Sequence, residues 1–175
     1  LDLAVRGLAQ GHVGLAAGSL DIDVETAPLA GGSLSGRLGL DGSDIPKLQA
    51  NLDLRGADAA QAMGLAGLGQ GLRGRMDLQV TASSTGASPA ALAAALDGTA
   101  RLRLADGAID GFSLEPADIA LGPRSLPVPL LEGSLGIERG MASGNALRLA
   151  MPGGDAILSL RLDLPAWMLD ATIED

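Results

Sequence analysis

Apolar and polar residues alternate along much of this chain with a period of two. From Leu72 to Ala82, the even positions Leu72, Met76, Leu78, Val80 and Ala82 are apolar, and Arg73, Arg75, Asp77, Gln79 and Thr81 stand between them. In 19–25, Leu20, Ile22 and Val24 alternate with Asp21, Asp23 and Glu25. Leu48, Ala50, Leu52 and Leu54 alternate with Gln49, Asn51 and Asp53 in the same way, and in 156–164 only Ile157 breaks the order. Successive side chains of a strand point to opposite faces, so the pattern predicts strands with one apolar and one wet face. That is an antiparallel sheet solvated on one side, because strands covered on both faces would read as solid apolar runs.

Turn signals punctuate the runs at Gly31-Gly32, Asp41-Gly42, Asp97-Gly98, Asp106-Gly107 and Pro152-Gly153-Gly154. About ten to twelve short strands are expected, each pairing with its neighbour in the chain as a meander. A strand pattern begins at Leu1. Two helices interrupt it: Asp58 caps Ala59–Leu65, and Ser88-Pro89 supplies the cap and first position for Ala90–Leu96. Each is too short to stand alone and must pack on the sheet. Leu104–Leu114 aligns without gaps to Ile137–Leu147, both reading as strand, glycine turn and second strand. In this echo Gly107 and Gly140 suit a left-handed turn, and Gly111 and Gly144 a bulge or close approach. The whole of 1–175 therefore reads as one β-rich segment. A sheet with two short helices fills 1–114, a Pro-rich connection 115–129, and continuing sheet 130–175.

Composition sharpens this. Apolar residues make up 47%, yet the chain has one Trp, one Phe and no Tyr, so Leu, Ala and Val must build the apolar surface. Large aromatics pack in few geometries and normally fix a compact sandwich core. Their scarcity favours a long, uniform apolar surface over a closed core, although alternation alone fits both. The longest uncharged runs, 7–20, 59–72 and 78–96, are either too short or too polar for a membrane-spanning helix. The start at Leu1 reads as an excerpt of a longer chain, in which an anchor or leader would lie upstream. A net charge of −9 opposes nucleic-acid binding. With no Cys and one His, no thiol nucleophile or ordinary transition-metal set is available, and no cofactor is expected.

Several segments in order resemble the AsmA-like family of bacterial envelope proteins, in its C-terminal region. Gly31-Gly32-Ser33-Leu34-Ser35-Gly36 is similar to its repeated glycine-flanked strand, and Leu52-Asp53-Leu54-Arg55-Gly56-Ala57-Asp58 to the stretch that precedes a short helix. Gly71–Leu78 and Gly86–Gly98 running into Arg101–Gly111 continue the likeness. The resemblance implies an elongated antiparallel meander curled into a groove, standing in the periplasm and anchored to the inner membrane by a segment outside this chain. It also implies a role in outer-membrane assembly and phospholipid movement between membranes.

Candidate chemistry is sparse. His12 has no G-x-S-x-G partner and reads as a solvated residue. Asp21, Asp23 and Glu25 form a row along one strand face, which is not the oxygen cage that calcium needs. The glycine-rich 64–74 lacks a phosphate-loop pattern and reads as a turn. Trp167 reads as a plug closing the end of the sheet. Non-catalytic function therefore rests on the apolar faces. Their candidate lining is Leu20, Ile22, Val24, Leu52, Leu54, Leu78, Val80, Leu102, Leu104, Leu158, Leu160 and Leu162, and the expected occupants are phospholipid acyl chains. The alternatives are a scaffold pairing by its sheet edge with outer-membrane assembly proteins, or a closed structural β-sandwich.

Overall fold

A computed structural model describes residues 10–42, 44–65, 67, 71–112, 124–151, 154–166 and 168–174. Ten strands and two helices follow one another: β1 (Gln10–Ala16), β2 (Ser19–Leu29), β3 (Gly32–Asp41), β4 (Lys47–Asp58), α1 (Ala59–Leu65), β5 (Leu72–Thr85), α2 (Pro89–Ala94), β6 (Asp97–Phe112), β7 (Arg124–Glu138), β8 (Met141–Met151), β9 (Gly154–Asp163) and β10 (Met168–Glu174). All ten strands form a single antiparallel sheet in chain order, and β1 and β10 do not pair with each other. The fold is the expected mainly β, open meander with two short helices, and its described strands do not divide into the two sheets of a sandwich.

Three of the connections are two-residue hairpins in which both central residues have positive φ: Ala17-Gly18, Ala30-Gly31 and Arg139-Gly140. This is the type I′ geometry, whose twist matches that of the flanking strands. The turn expected at Gly31-Gly32 is therefore one residue earlier, because Gly32 already pairs with Leu29. Gly140 is obligatory in its turn: its φ is +76°, and a Cβ there would stand 2.5 Å from the carbonyl oxygen of Ala93.

β2, β4, β6 and β8 carry an irregularity that alternation does not reveal. In β2 the pairing with β3 slips between Val24 and Ala27, in β4 with β5 between Leu54 and Ala57, and in β8 with β9 between Gly144 and Leu147. In β6, Arg75 pairs with Ala105 but Arg73 with Ala108, so one extra residue is inserted around Asp106, whose φ is +51°. Each such bulge bends its strand and increases the local twist. Repeated in every second strand from β2 to β8, the bulges curve the sheet.

The turn expected at Asp106-Gly107 is thus a correction: β6 runs on for 16 residues. The two halves of the internal echo separate for a physical reason. Ile137 and Ala142 pair with each other across Arg139-Gly140, whereas 104–112 is held extended by β5 on one side and β7 on the other. Gly144 does sit at a bulge, as expected. Asp97-Gly98 also makes no turn, because α2 connects the strands and Asp97 opens β6.

Proline was expected to keep 115–129 irregular, yet β7 begins at Arg124 and includes Pro127 and Pro129. Its pairing with β8 starts only at Leu130, so both prolines lie where one side of the strand has no ladder to disrupt. The rest of that connection, the strand start at Leu1, most of the 64–74 turn and Trp167 lie outside the described residues.

The helices stand at the two ends of β5, α1 before it and α2 after it. Asp58 caps α1 through the N–H of Gln61 at 2.8 Å, and its own N–H reaches Ala30 O at 2.7 Å. Ser88 caps α2 through the N–H of Ala91 at 3.2 Å. This helix ends at Ala94 rather than Leu96, because Ala95 leaves the helical region at φ −106° and ψ 16°. The Leu96 N–H turns to Ala93 O at 3.4 Å, while the Leu96 carbonyl accepts the N–H of Gly140 at 2.8 Å. Ser84 is buried but satisfied, donating to Leu92 O at 2.6 Å. Among the described residues no helix is long and apolar enough to cross a membrane.

Candidate functional site

Register turns local alternation into a surface. In an antiparallel ladder, directly opposed residues present their side chains on the same face. Val13 opposes Ile22, Ile22 opposes Leu38, then Ala50, Ala82, Gly98, Ile137, Ala142 and Leu162 follow in turn. This row crosses nine strands without a polar residue, and the backbone register carries it on to Leu169 of β10. At ~4.8 Å per strand, nine steps span ~43 Å along the curve of the sheet. A second row runs through Ala27, Leu34, Leu54, Leu78 and Leu102, and a third through Ala57, Met76, Leu104, Leu131 and Leu149.

All twelve candidate lining residues fall on this one face, but their burial differs. Leu54, Leu104 and Leu158 are buried, and the other nine are half-buried. The division follows the strand order. In β1–β3 no apolar side chain is buried, and Leu15 is 59% exposed. In β6–β8, Leu104, Val128, Leu147 and Leu149 have no exposure at all. Side chains standing on a flat single layer keep their outer ends in water, so complete burial means that this part of the face is curved in and covered. One cluster joins these residues to Leu54, Met76, Leu131, Leu135, Ile137 and Leu158, with Ala62 of α1 and Leu96 packed against it. Buried apolar residues thus run from Leu54 of β4 to Leu158 of β9 and are densest on β6–β8, with Leu78, Val80, Leu102, Leu160 and Leu162 half-buried among them. By contrast, β1–β3 and Leu48, Ala50 and Leu52 of β4 stay half-open.

The opposite face is polar and carries the clefts. One cleft of about 950 Å³ crosses β1 to β6 and is lined by His12, Asp21, Asp23, Arg37, Gln49, Asn51, Thr81, Ser83 and Asp97. His12, Asp21 and Asp23 therefore share one cleft, and Asp23 is paired to Arg37 at 2.8 Å. Gly14 and Gly39 flank Asp21 and leave the floor bare. Sequence reasoning missed this cleft because polar positions on six strands become neighbours only through register.

Exposed ion pairs cover the polar face, one within β4 and others between neighbouring strands. Arg55 contacts Asp53 at 2.6 Å, and its hydrogen bond holds that carboxyl below the ordinary aspartate range. Arg73 does the same to Asp110 across the β5–β6 ladder, at 2.6 Å. Arg148 bonds Asp155 at 2.8 Å, which raises its own pKa further. Among the described residues no three His, Cys, Asp or Glu groups come together as metal ligands.

Comparison with known proteins agrees with this architecture. The model of the AsmA family matches residues 9–146 of this chain. No curated protein and no solved structure matches it.

Proposed function

Because this chain belongs to the AsmA family of bacterial envelope proteins, tied to outer-membrane assembly, we propose that it carries phospholipid acyl chains on its apolar face without catalysing a reaction. The observation that supports this reading is the half-open stretch of the apolar rows over β1–β4. Val13, Ile22, Leu38 and Ala50 form the same unbroken row that is sealed further along the sheet, yet they remain in contact with solvent. An acyl tail in water costs ~0.8 kcal/mol per CH₂, on the order of 12 kcal/mol for sixteen carbons, and lying on such a face removes the part of that cost that falls on the covered side. Hydrophobic contact is non-directional, so the tail can slide along the face without meeting one tight site. In this reading the segment stands in the periplasm, anchored to the inner membrane by a part of the protein outside this chain.

Replacing Ile22 and Leu52 by Asp puts charge onto the open rows. The variant should fold and lose most of the phospholipid that co-purifies with the wild type. Phospholipid at wild-type level in a folded I22D/L52D protein would defeat the reading.

A second reading rests on the edges. Among the described residues β1 and β10 each pair on one side only, and neither contains Pro or Lys, residues that commonly blunt exposed edges. Such an edge can accept a strand from outer-membrane assembly machinery by β-augmentation. Crosslinkers placed along β1 that capture lipid but never protein would count against it.

A further inference from the structure

The polar side of the sheet centre holds a feature that lipid carriage leaves unused. On β6, Arg101 and Arg103 alternate with Leu102 and Leu104, and Leu104 is fully buried on the far side. Register sets Arg101 between Gln79 and Ser134, and Arg103 between Asp77 and Glu132. These six residues, with Asp53 and Arg55, line a cleft of about 570 Å³.

The carboxylates of that cleft are already engaged. Asp53 accepts from Arg55 at 2.6 Å and from Gln79 at 3.4 Å. Asp77 accepts the backbone N–H of Gly56 at 2.7 Å, and Glu132 faces Arg148 at 3.9 Å. Arg101 and Arg103 have no ion pair or side-chain hydrogen bond with any described residue. In a chain with a net charge of −9, β4–β6 carry six of the twelve basic residues, Lys47, Arg55, Arg73, Arg75, Arg101 and Arg103, against six aspartates, so this strip is neutral where the chain as a whole is acidic. The core behind Leu104 holds this part of the backbone in place, so the two guanidinium groups project from a rigid base. A planar guanidinium matches a tetrahedral or planar oxyanion with paired N–H donors. The Ser134 hydroxyl in the next strand supplies another donor.

We propose that Arg101 and Arg103 form an oxyanion site that takes a phosphate group, either on a soluble phosphate-bearing solute or in the headgroups of an anionic bilayer. It lies on the face opposite the apolar rows and does not depend on them.

The test uses inorganic phosphate by calorimetry and flotation with phosphatidylglycerol vesicles, both at low salt, on wild type, R101Q/R103Q and R37Q. Wild type should bind at least one probe, R101Q/R103Q at least tenfold more weakly with its melting temperature unchanged, and R37Q as wild type. Binding of phosphate alone identifies a soluble ligand, and binding of vesicles identifies the headgroup. No binding of either probe by wild type, undiminished binding by R101Q/R103Q, or an equal loss in R37Q overturns the site. If the double variant is unstable, R101Q and R103Q are read singly, each with a smaller loss, and undiminished binding in both overturns it. The I22D/L52D protein should keep its phosphate binding, which separates failure of this site from failure of lipid carriage.

Discussion

Strands β1–β3 and strands β6–β8 are built from the same alternating pattern and end in different environments. Leu38 of β3 and Ile137 of β7 stand in the same cross-strand row, flanked by small or aliphatic residues. Yet Leu38 is half-exposed and Ile137 is 6% exposed. Alternation assigns a side chain to a face, but it does not say whether anything covers that face. The cover comes from the curvature of the whole sheet and from elements packed against it, both of which depend on residues far away in sequence. The contrast also separates the two uses of the surface, with stability concentrated in the sealed part and accessible apolar area in the open part.

This contrast predicts unequal costs for equal truncations. Leu104→Ala removes a fully buried side chain and should cost about 3–4 kcal/mol in urea unfolding, with a cavity left behind. Leu38→Ala removes the same atoms from a half-exposed position and should cost about 1 kcal/mol. Equal losses would erase the distinction between the two regions.

A smaller effect sharpens it from the open side. Ala30 holds φ at +50° in the β2–β3 hairpin, a conformation that favours Asn at the first position of a type I′ turn. Ala30→Asn should raise stability by up to about 1 kcal/mol, read as a higher denaturation midpoint. No gain would mean that the β2–β3 hairpin does not contribute to the cooperative unit.

The smallest effect is electrostatic. Arg73 holds the Asp110 carboxyl below the ordinary aspartate value of 3.8, so the pair adds stability above that pH and loses it as pH falls through the lowered folded value. The pair is solvent-exposed, so the gain is slight and fades with salt. Arg73→Gln should therefore lower stability slightly at neutral pH and low ionic strength, and the difference from wild type should close as pH falls through the lowered Asp110 value. A difference that is the same at acid and neutral pH, or no difference at neutral pH, would remove the pair from the account.

Much of the architecture was legible in the residues. Period-two alternation marked β2, β4, β5 and β9, and Asp58 and Ser88 announced the helix starts that the structure bears out. The misreadings share one cause. Asp106-Gly107 is an excellent local turn signal, but strands on both sides hold it extended and turn it into a bulge. Pro127 and Pro129 argue locally against a strand, but they are tolerated because no β8 residue pairs beside them. For the candidate sites, the apolar rows were recoverable because face is a local property. The polar clefts were not, because Asp21 and Asp97, or Arg101 and Glu132, meet only through register.

What the sequence determined by itself is therefore the strand class and the two faces, since each follows from side-chain direction and residue chemistry along a short stretch. Tertiary structure alone decided where the apolar face is sealed and which charges on the other face are left unpaired. Burial and pairing are properties of contacts between strands, and bulges of one residue in alternate strands set the curvature on which those contacts depend.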